Sequence, residues 1–285
     1  SFSVVPGTQI LEINHCNLQL WKETINLTSN PLDWFPGNSN QTGAQSKKTV
    51  RDIGMGEIST YSFFWMFYLA YDIDFSELFH NGYGSNYVNS HYGQSYSKWA
   101  FELAIDYFKM PTFEDDSYDS LEHYSILKHP SDFSRLIDDY NNFSETVNND
   151  LLMQSLNISM PEFEGDYFLQ YLIVNELAIA LPSNIYLNEL IDALGCANAS
   201  VQEKTLILNC KGITNYQLEI SYNEQGLMDT FIVKTEDGIL IFKITSWYPK
   251  HVIYTIFGII LAGLLGLLGF FYYRSRKRIK FFKEN

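Results

Sequence analysis

Outside one long apolar segment near its end, the strongest regularity in this chain is a two-residue alternation of apolar and polar side chains that recurs four times between residues 204 and 246. The runs KTLILNC, TNYQLEISY, LMDTFIVKT and ILIFKITS are separated by KG, NEQG and EDG, segments suited to tight turns, so the pattern predicts an antiparallel meander. Alternation also appears near the start. TQILEI and NLQLWKETINLT, joined by NHC, predict a pair of strands within residues 5–28. Residues 29–48 are rich in Pro, Gly, Asn and Ser and predict a loop, with Trp34 and Phe35 tucked onto the core.

Between these ends, over residues 55–195, the period lengthens and helices are predicted. STYSFFWMFYLAY (59–71) is apolar all round but too short to span a bilayer, which indicates a buried helix. Tyr96, Trp99, Ala100, Leu103 and Tyr107 form a helical stripe that Pro111 would end. HPSDFSRLIDDYNNF offers Ser131 as an N-cap with Asp132 in the first turn, and DYFLQYLIVNELAIAL (166–181) reads as a central helix. In PSNIYLNELIDALG, Ser183 can cap the start and Gly195 lies just past the end. Strands at both ends with helices between them predict one α+β domain over residues 1–246. In it the N-terminal strands and the C-terminal meander share an antiparallel sheet around a helical middle zone.

The long apolar segment is VIYTIFGIILAGLLGLLGFFYY, residues 252–273, which carries no charge. At the helical rise it would cover about 33 Å, enough for one transmembrane helix. Residues 247–251 form a short juxtamembrane linker, and Trp247, Tyr248 and Tyr254, with Tyr272 and Tyr273 at the other end, suit the two membrane interfaces. Residues 274–285 are a basic tail with a net charge of +5, which leaves −19 of the whole-chain −14 on residues 1–273. Positive charge beside a span marks the cytoplasmic side, so the N-terminal part is expected outside the cell or in a lumen. Within the span, Gly258, Ala262 and Gly266 recur every fourth residue, a small-residue stripe that lets helices approach closely and points to homo- or hetero-oligomers through the membrane.

Other features fit an exported chain. Ser1 is not Met and no charged, apolar leader precedes it, as expected once a signal peptide is removed. Asn26, Asn40, Asn142, Asn157 and Asn198 head N-x-S/T sequons, all before the span, so attached glycans are expected. Of the three cysteines, Cys196 and Cys210 bracket a hairpin-length excursion, and a disulfide there would be worth roughly 3 kcal/mol by loop-closure entropy. Cys16 is then left as a free thiol, or it pairs with one of the other two. The acidity of the ectodomain excludes nucleic acid as a natural partner.

Catalytic signatures are absent from the sequence: there is no G-x-S-x-G elbow, P-loop or dinucleotide fingerprint, and no cofactor is expected. His80, His91, His123 and His129 lack the close spacing of zinc ligands, and Asp72, Asp74, Glu114, Asp115 and Asp116 read as solvated acids without an EF-hand frame. In HNGYGSNYVNSHYGQSYSKW, Tyr83, Tyr87, Tyr92 and Tyr96 alternate with Gly, Asn and Ser. That composition is shared with adaptable binding loops, and it equally suits tyrosines that cover a helical core. The expected protein is therefore a single-pass type I membrane glycoprotein whose acidic, aromatic-rich ectodomain acts without catalysis, as a surface-assembly subunit or a ligand-binding or adhesive module. The alternative is a membrane-anchored extracellular hydrolase with a carboxylate or metal site in the helical zone.

PGTQILEIN near the start, ISYNEQGLMDTFIVKTEDGILIFKI in the meander, and the span ending in RSRKR together resemble uncharacterised single-pass cell-surface proteins of archaea. The resemblance implies a cell-surface location and leaves the role open.

Overall fold

The computed structural model of the chain describes residues 2–4, 6–31, 42–73, 75–108, 120–175 and 177–247. The chain divides into two compact units, Ser1–Ser246 and Trp247–Asn285. The predicted span at 252–273, its Gly258–Ala262–Gly266 stripe and the basic tail lie outside the described residues, as do Trp34, Phe35 and Asn40. Among the described residues no helix is long and apolar enough to cross a membrane.

The first unit is an α+β fold built on a large antiparallel sheet. Its strands are β1 (Thr8–Cys16), β2 (Gln45–Ser59), β3 (Ser95–Phe108), β4 (Ser120–Leu127), β5 (Ala199–Gln202), β6 (Thr205–Lys211), β7 (Asn215–Tyr222), β8 (Met228–Thr235) and β9 (Leu240–Trp247). They form one nine-stranded sheet in the order β4-β3-β2-β1-β9-β8-β7-β6-β5. The predicted meander is present as β6 to β9, each strand antiparallel to the next. The N-terminal strand does join it: β1 lies beside β9, and Asn17 N–H donates to the Ile241 carbonyl at 2.9 Å just past the end of β1. Alternation on β6, β7 and β8 turns Leu206, Leu208, Leu218, Ile220, Phe231 and Val233 to one buried face.

Several expectations are corrected. The second N-terminal strand is helix α1 (Leu18–Thr24). Asn17 starts it by accepting a hydrogen bond from Leu20 N–H at 3.1 Å, and a helical turn then buries Trp21 edge-on against Phe242, with centroids 5.7 Å apart. The helical stripe through Tyr96 and Tyr107 belongs instead to β3, because β2 and β4 flank it on both sides and satisfy its backbone from Ser95 to Phe108. The middle zone is therefore only partly helical, and the loop expected to reach residue 48 gives way to β2 at Gln45.

The remaining middle elements are helices α2 (Thr60–Ala70), α3 (Phe75–His80), α4 (Ser85–His91), α5 (Asp132–Asn149), α6 (Leu151–Ser155), α7 (Gly165–Val174) and α8 (Ser183–Leu194). Helix α2 is the helix predicted for 59–71, with Ser59 capping through Ser62 N–H; it is buried along the face of Phe63, Phe64, Phe67 and Tyr68, while Trp65 and Leu69 stay exposed. Ser131 occupies the N-cap position of α5 but makes no side-chain cap bond, and α8 begins after Pro182, which places Ser183 inside the helix. Gly195 ends α8 in the left-handed region at φ 66°, where a side chain would strain the backbone. The expected helix over 166–181 stops at Val174. Beyond it the chain extends, and Leu181 exchanges backbone bonds of 3.0 and 2.8 Å with Ser3.

The helical layer is welded by aromatic rings. Phe67 of α2 meets Phe168 of α7 at 4.7 Å and Tyr140 of α5 at 5.1 Å, while Phe64 meets Phe143 at 5.3 Å. These rings are buried, and the Tyr140 hydroxyl donates to the Pro161 carbonyl at 3.1 Å, so its polar end is paired. Phe67→Ala is expected to cost about 3–5 kcal/mol of stability, measured by chemical denaturation with an unchanged slope. A cost under about 1 kcal/mol would show that the layer does not pivot on this ring.

Candidate functional site

The site arises where one strand outruns its neighbour. β5 pairs with β6 only from Thr205 to Leu208, so Asn209 to Lys211 project beyond it. The N-terminal half of α7 is held near this projection, because Gly165 lets it press on the end of α8. A Cβ there would collide with the Leu194 carbonyl oxygen and lie 2.9 Å from its carbon. The result is a cleft of about 490 Å³. Glu164, Asp166, Tyr167 and Gln170 line it from α7 and its entry. Asn209, Lys211, Asn215, Gln217, Lys234 and Glu236 line it from the strand ends.

Most of these side chains are already tied. Asp166 accepts from Ala197 N–H at 3.2 Å, Asn198 N–H at 3.1 Å and the Asn198 side-chain amide at 2.8 Å. Gln170 Nε2 donates to the Tyr216 hydroxyl at 2.8 Å, and Gln217 Nε2 donates to Asn209 Oδ1 at 3.0 Å. Asn215 reaches Glu236 at 3.2 Å, and Lys234 is paired with Glu219. Tyr167 is fixed at both ends. Its hydroxyl donates to the Ala70 carbonyl at 2.9 Å, and one face of its ring stacks on Tyr71 at 5.0 Å. Tyr71 is held in turn by accepting from Glu164 N–H at 2.7 Å. Tyr167 is nonetheless 45% exposed.

Two thiols lie by this cleft. Cys196 and Cys210 are free, so the predicted bridge between them is not formed. Cys210 faces inward, with Sγ donating to the Leu208 carbonyl at 3.9 Å, while Cys196 is turned toward Asp166. Burial pushes both thiols up to about 12, and the Asp166 carboxylate adds to the rise in each. A thiol raised this far is predominantly protonated near neutral pH. Burial likewise raises Tyr216, and Cys210 beside it adds to the effect.

The tyrosine-rich segment does not form an exposed binding loop. It folds as α4 and its flanks, with Tyr83 and Tyr96 buried, and Tyr83, Tyr87 and Tyr92 each ring-packed on Phe143 at 6.0 Å. Asn26, Asn142, Asn157 and Asn198 are all exposed. Ser144 of the Asn142 sequon is buried and donates to the Met160 carbonyl at 3.2 Å, whereas Thr28 bonds the Asn26 side chain at 3.0 Å. Asn198 stands on the rim of the cleft. His80 and His91 bond backbone carbonyls of their own helices at 2.6 and 2.9 Å. Asp74 and Glu114 to Asp116 lie outside the described residues, among which no three His, Cys, Asp or Glu side chains converge to hold a metal. No family model, curated protein or solved structure matches this chain.

Sequence reasoning named Asn198 and Cys210 for other reasons and missed the rest of the cleft. The available signal was the polar face of the meander, on which Asn209 and Gln217 pair across β6 and β7.

Gly165→Ala should cost about 1–3 kcal/mol by overpacking α7 against α8. Gly56→Ala, with open space around it, should stay within about 0.5 kcal/mol. Equal effects in thermal melts would refute the close approach.

The Tyr83 hydroxyl donates to Asp150 at 2.6 Å. That bond, with Leu152 N–H behind it, holds the Asp150 carboxyl below its usual value. The Tyr83 hydroxyl is pushed up to about 12, first by burial and then by Asp150. Because the folded carboxyl is the more acidic one, its stabilisation is present above about pH 4 and is lost as pH falls through the depressed value. Tyr83→Phe should therefore lower the melting temperature at neutral pH, and the gap from wild type should close in strong acid. A gap independent of pH would show that the pair contributes nothing.

Proposed function

We propose that this chain is a single-pass type I membrane glycoprotein whose ectodomain, residues 1–246, recognises a ligand in the cleft between α7 and the ends of β6 to β8, without catalysing its reaction. The observation that carries this reading is the locking of the cleft. Asp166, Gln170, Gln217, Asn215 and Tyr167 are each held by a partner before any ligand arrives. Side chains held in place lose little further freedom on binding, which favours recognition. The same bonds argue against hydrolysis, because Asp166 spends its oxygens on Ala197 and Asn198, and the neighbouring thiols stay protonated.

Membrane attachment rests on the uncharged run 252–273 followed by the basic tail, and glycosylation rests on the exposed sequons. The stripe Gly258–Ala262–Gly266 supports association of the span with itself or with another subunit, which unites the ligand-binding and surface-assembly roles. A cell-surface or endomembrane location, with the tail in the cytoplasm, follows from the charge asymmetry.

Ligand-observed NMR with a library of polar fragments tests the recognition role on the full chain in nanodiscs. Hits are expected that vanish with Gln170→Leu and are recovered chemically unchanged; a library with no such hit overturns the binding role, and conversion of a hit overturns the non-catalytic one. Alkaline carbonate extraction of membranes tests the anchor, which fails if the chain appears in the supernatant.

A further inference from the structure

We infer that the cleft takes a neutral saccharide, an inference that rests on the reading of the cleft as a binding site. Its lining speaks against other classes. Glu164, Asp166 and Glu236 put three carboxylates on the walls against Lys211 and a Lys234 already paired with Glu219, so negative charge outweighs positive and a phosphate or other anion is disfavoured. The lining mixes amides, carboxylates and hydroxyls with apolar surface in equal measure, which suits a ligand with both polar and apolar faces better than a wholly apolar one.

A sugar ring matches what remains. One face of a pyranose presents C–H groups, and its edge carries closely spaced hydroxyls that both donate and accept. Tyr167 offers a flat ring with one face taken by Tyr71 and substantial exposed area on the remainder, and hydrogen bonds to Ala70 and Glu164 fix that stacked pair. An aromatic ring held in this way is an apolar platform that costs no ordering when a C–H face lies on it. Around it stand the side-chain amides. Gln170 and Gln217 have committed Nε2 to Tyr216 and Asn209, which leaves each Oε1 to accept from a hydroxyl, while Lys211 and the carboxylates supply further donors and acceptors. A volume of about 490 Å³ suits a short oligosaccharide or a chain end rather than a flat polymer surface.

The test uses the full chain, deglycosylated and held in phospholipid nanodiscs free of sugar detergents. Maltotriose, mannotriose and N-acetylchitotriose are the probes, and a neutral tetrapeptide of similar size is the comparison, all read by saturation-transfer NMR and calorimetry. At least one trisaccharide is expected to bind. Tyr167→Ala should weaken that binding about tenfold or more, the loss expected when a stacking ring is removed. Tyr167→Phe, which keeps the ring, should stay within about threefold. Binding of the peptide alone, lost in Tyr167→Ala, would overturn the saccharide and leave the binding site standing. Binding of a trisaccharide that is indifferent to Tyr167→Ala would place the sugar elsewhere and overturn the inference. Silence from every probe in a wild-type protein whose melting temperature is normal would overturn it as well, and polar-fragment hits would then decide whether the cleft binds anything.

Discussion

The fold depends on a pairing between its two ends. Strands β4 to β1 come from the N-terminal half of the sheet order and β9 to β5 from the C-terminal half, and only the junction of β1 with β9 makes them one sheet. The Asn17–Ile241 backbone bond and the burial of Trp21 against Phe242 anchor that junction. Residues more than two hundred positions apart must therefore meet before either half has a complete neighbour. Such non-local pairing carries a large loop-closure cost and slows folding. Once it is made, the sheet presents one broad apolar face, and the aromatic helical layer has a surface to close against.

The cleft is a by-product of how that layer ends. Helix α7 is anchored at its buried side by Phe168 against Phe67, and at its start by the close approach of Gly165 to α8. The residues that remain on its other side, Asp166, Tyr167 and Gln170, then have fixed positions relative to the projecting end of β6. The same ten-residue helix thus carries packing on one side and the cleft wall on the other, with the apolar half of each turn placing the polar half.

The meander and helix α2 were legible in the sequence because a single period governs each, and Gly195 was legible because its left-handed backbone admits few other residues. Helix α1 was hidden because LQLW alternates as a strand would, and the Asn17 cap and the burial of Trp21 decide in favour of a helix. Strand β3 was hidden for the converse reason. Its aromatic residues fall on a helical stripe, and only the two flanking strands, invisible to local reasoning, override it. The cleft was illegible in a deeper sense. Asp166 and Asn198 lie 32 residues apart, and Gln170 and Tyr216 lie 46 apart, so no window of sequence contains the site.

Under the binding role proposed above, the cleft is held in shape before its ligand arrives. Asp166, Gln170 and Tyr167 are already bound to Asn198, Tyr216 and Ala70. A ligand shifts an equilibrium between conformations only by preferring one of them, and a site tied in this way offers little to prefer. A binding role of this kind would not depend on a change of shape. What it would change is residence: where the molecule stays, for how long, and beside which neighbours. For several copies tethered to one surface, that is enough to turn weak individual attachments into a durable one.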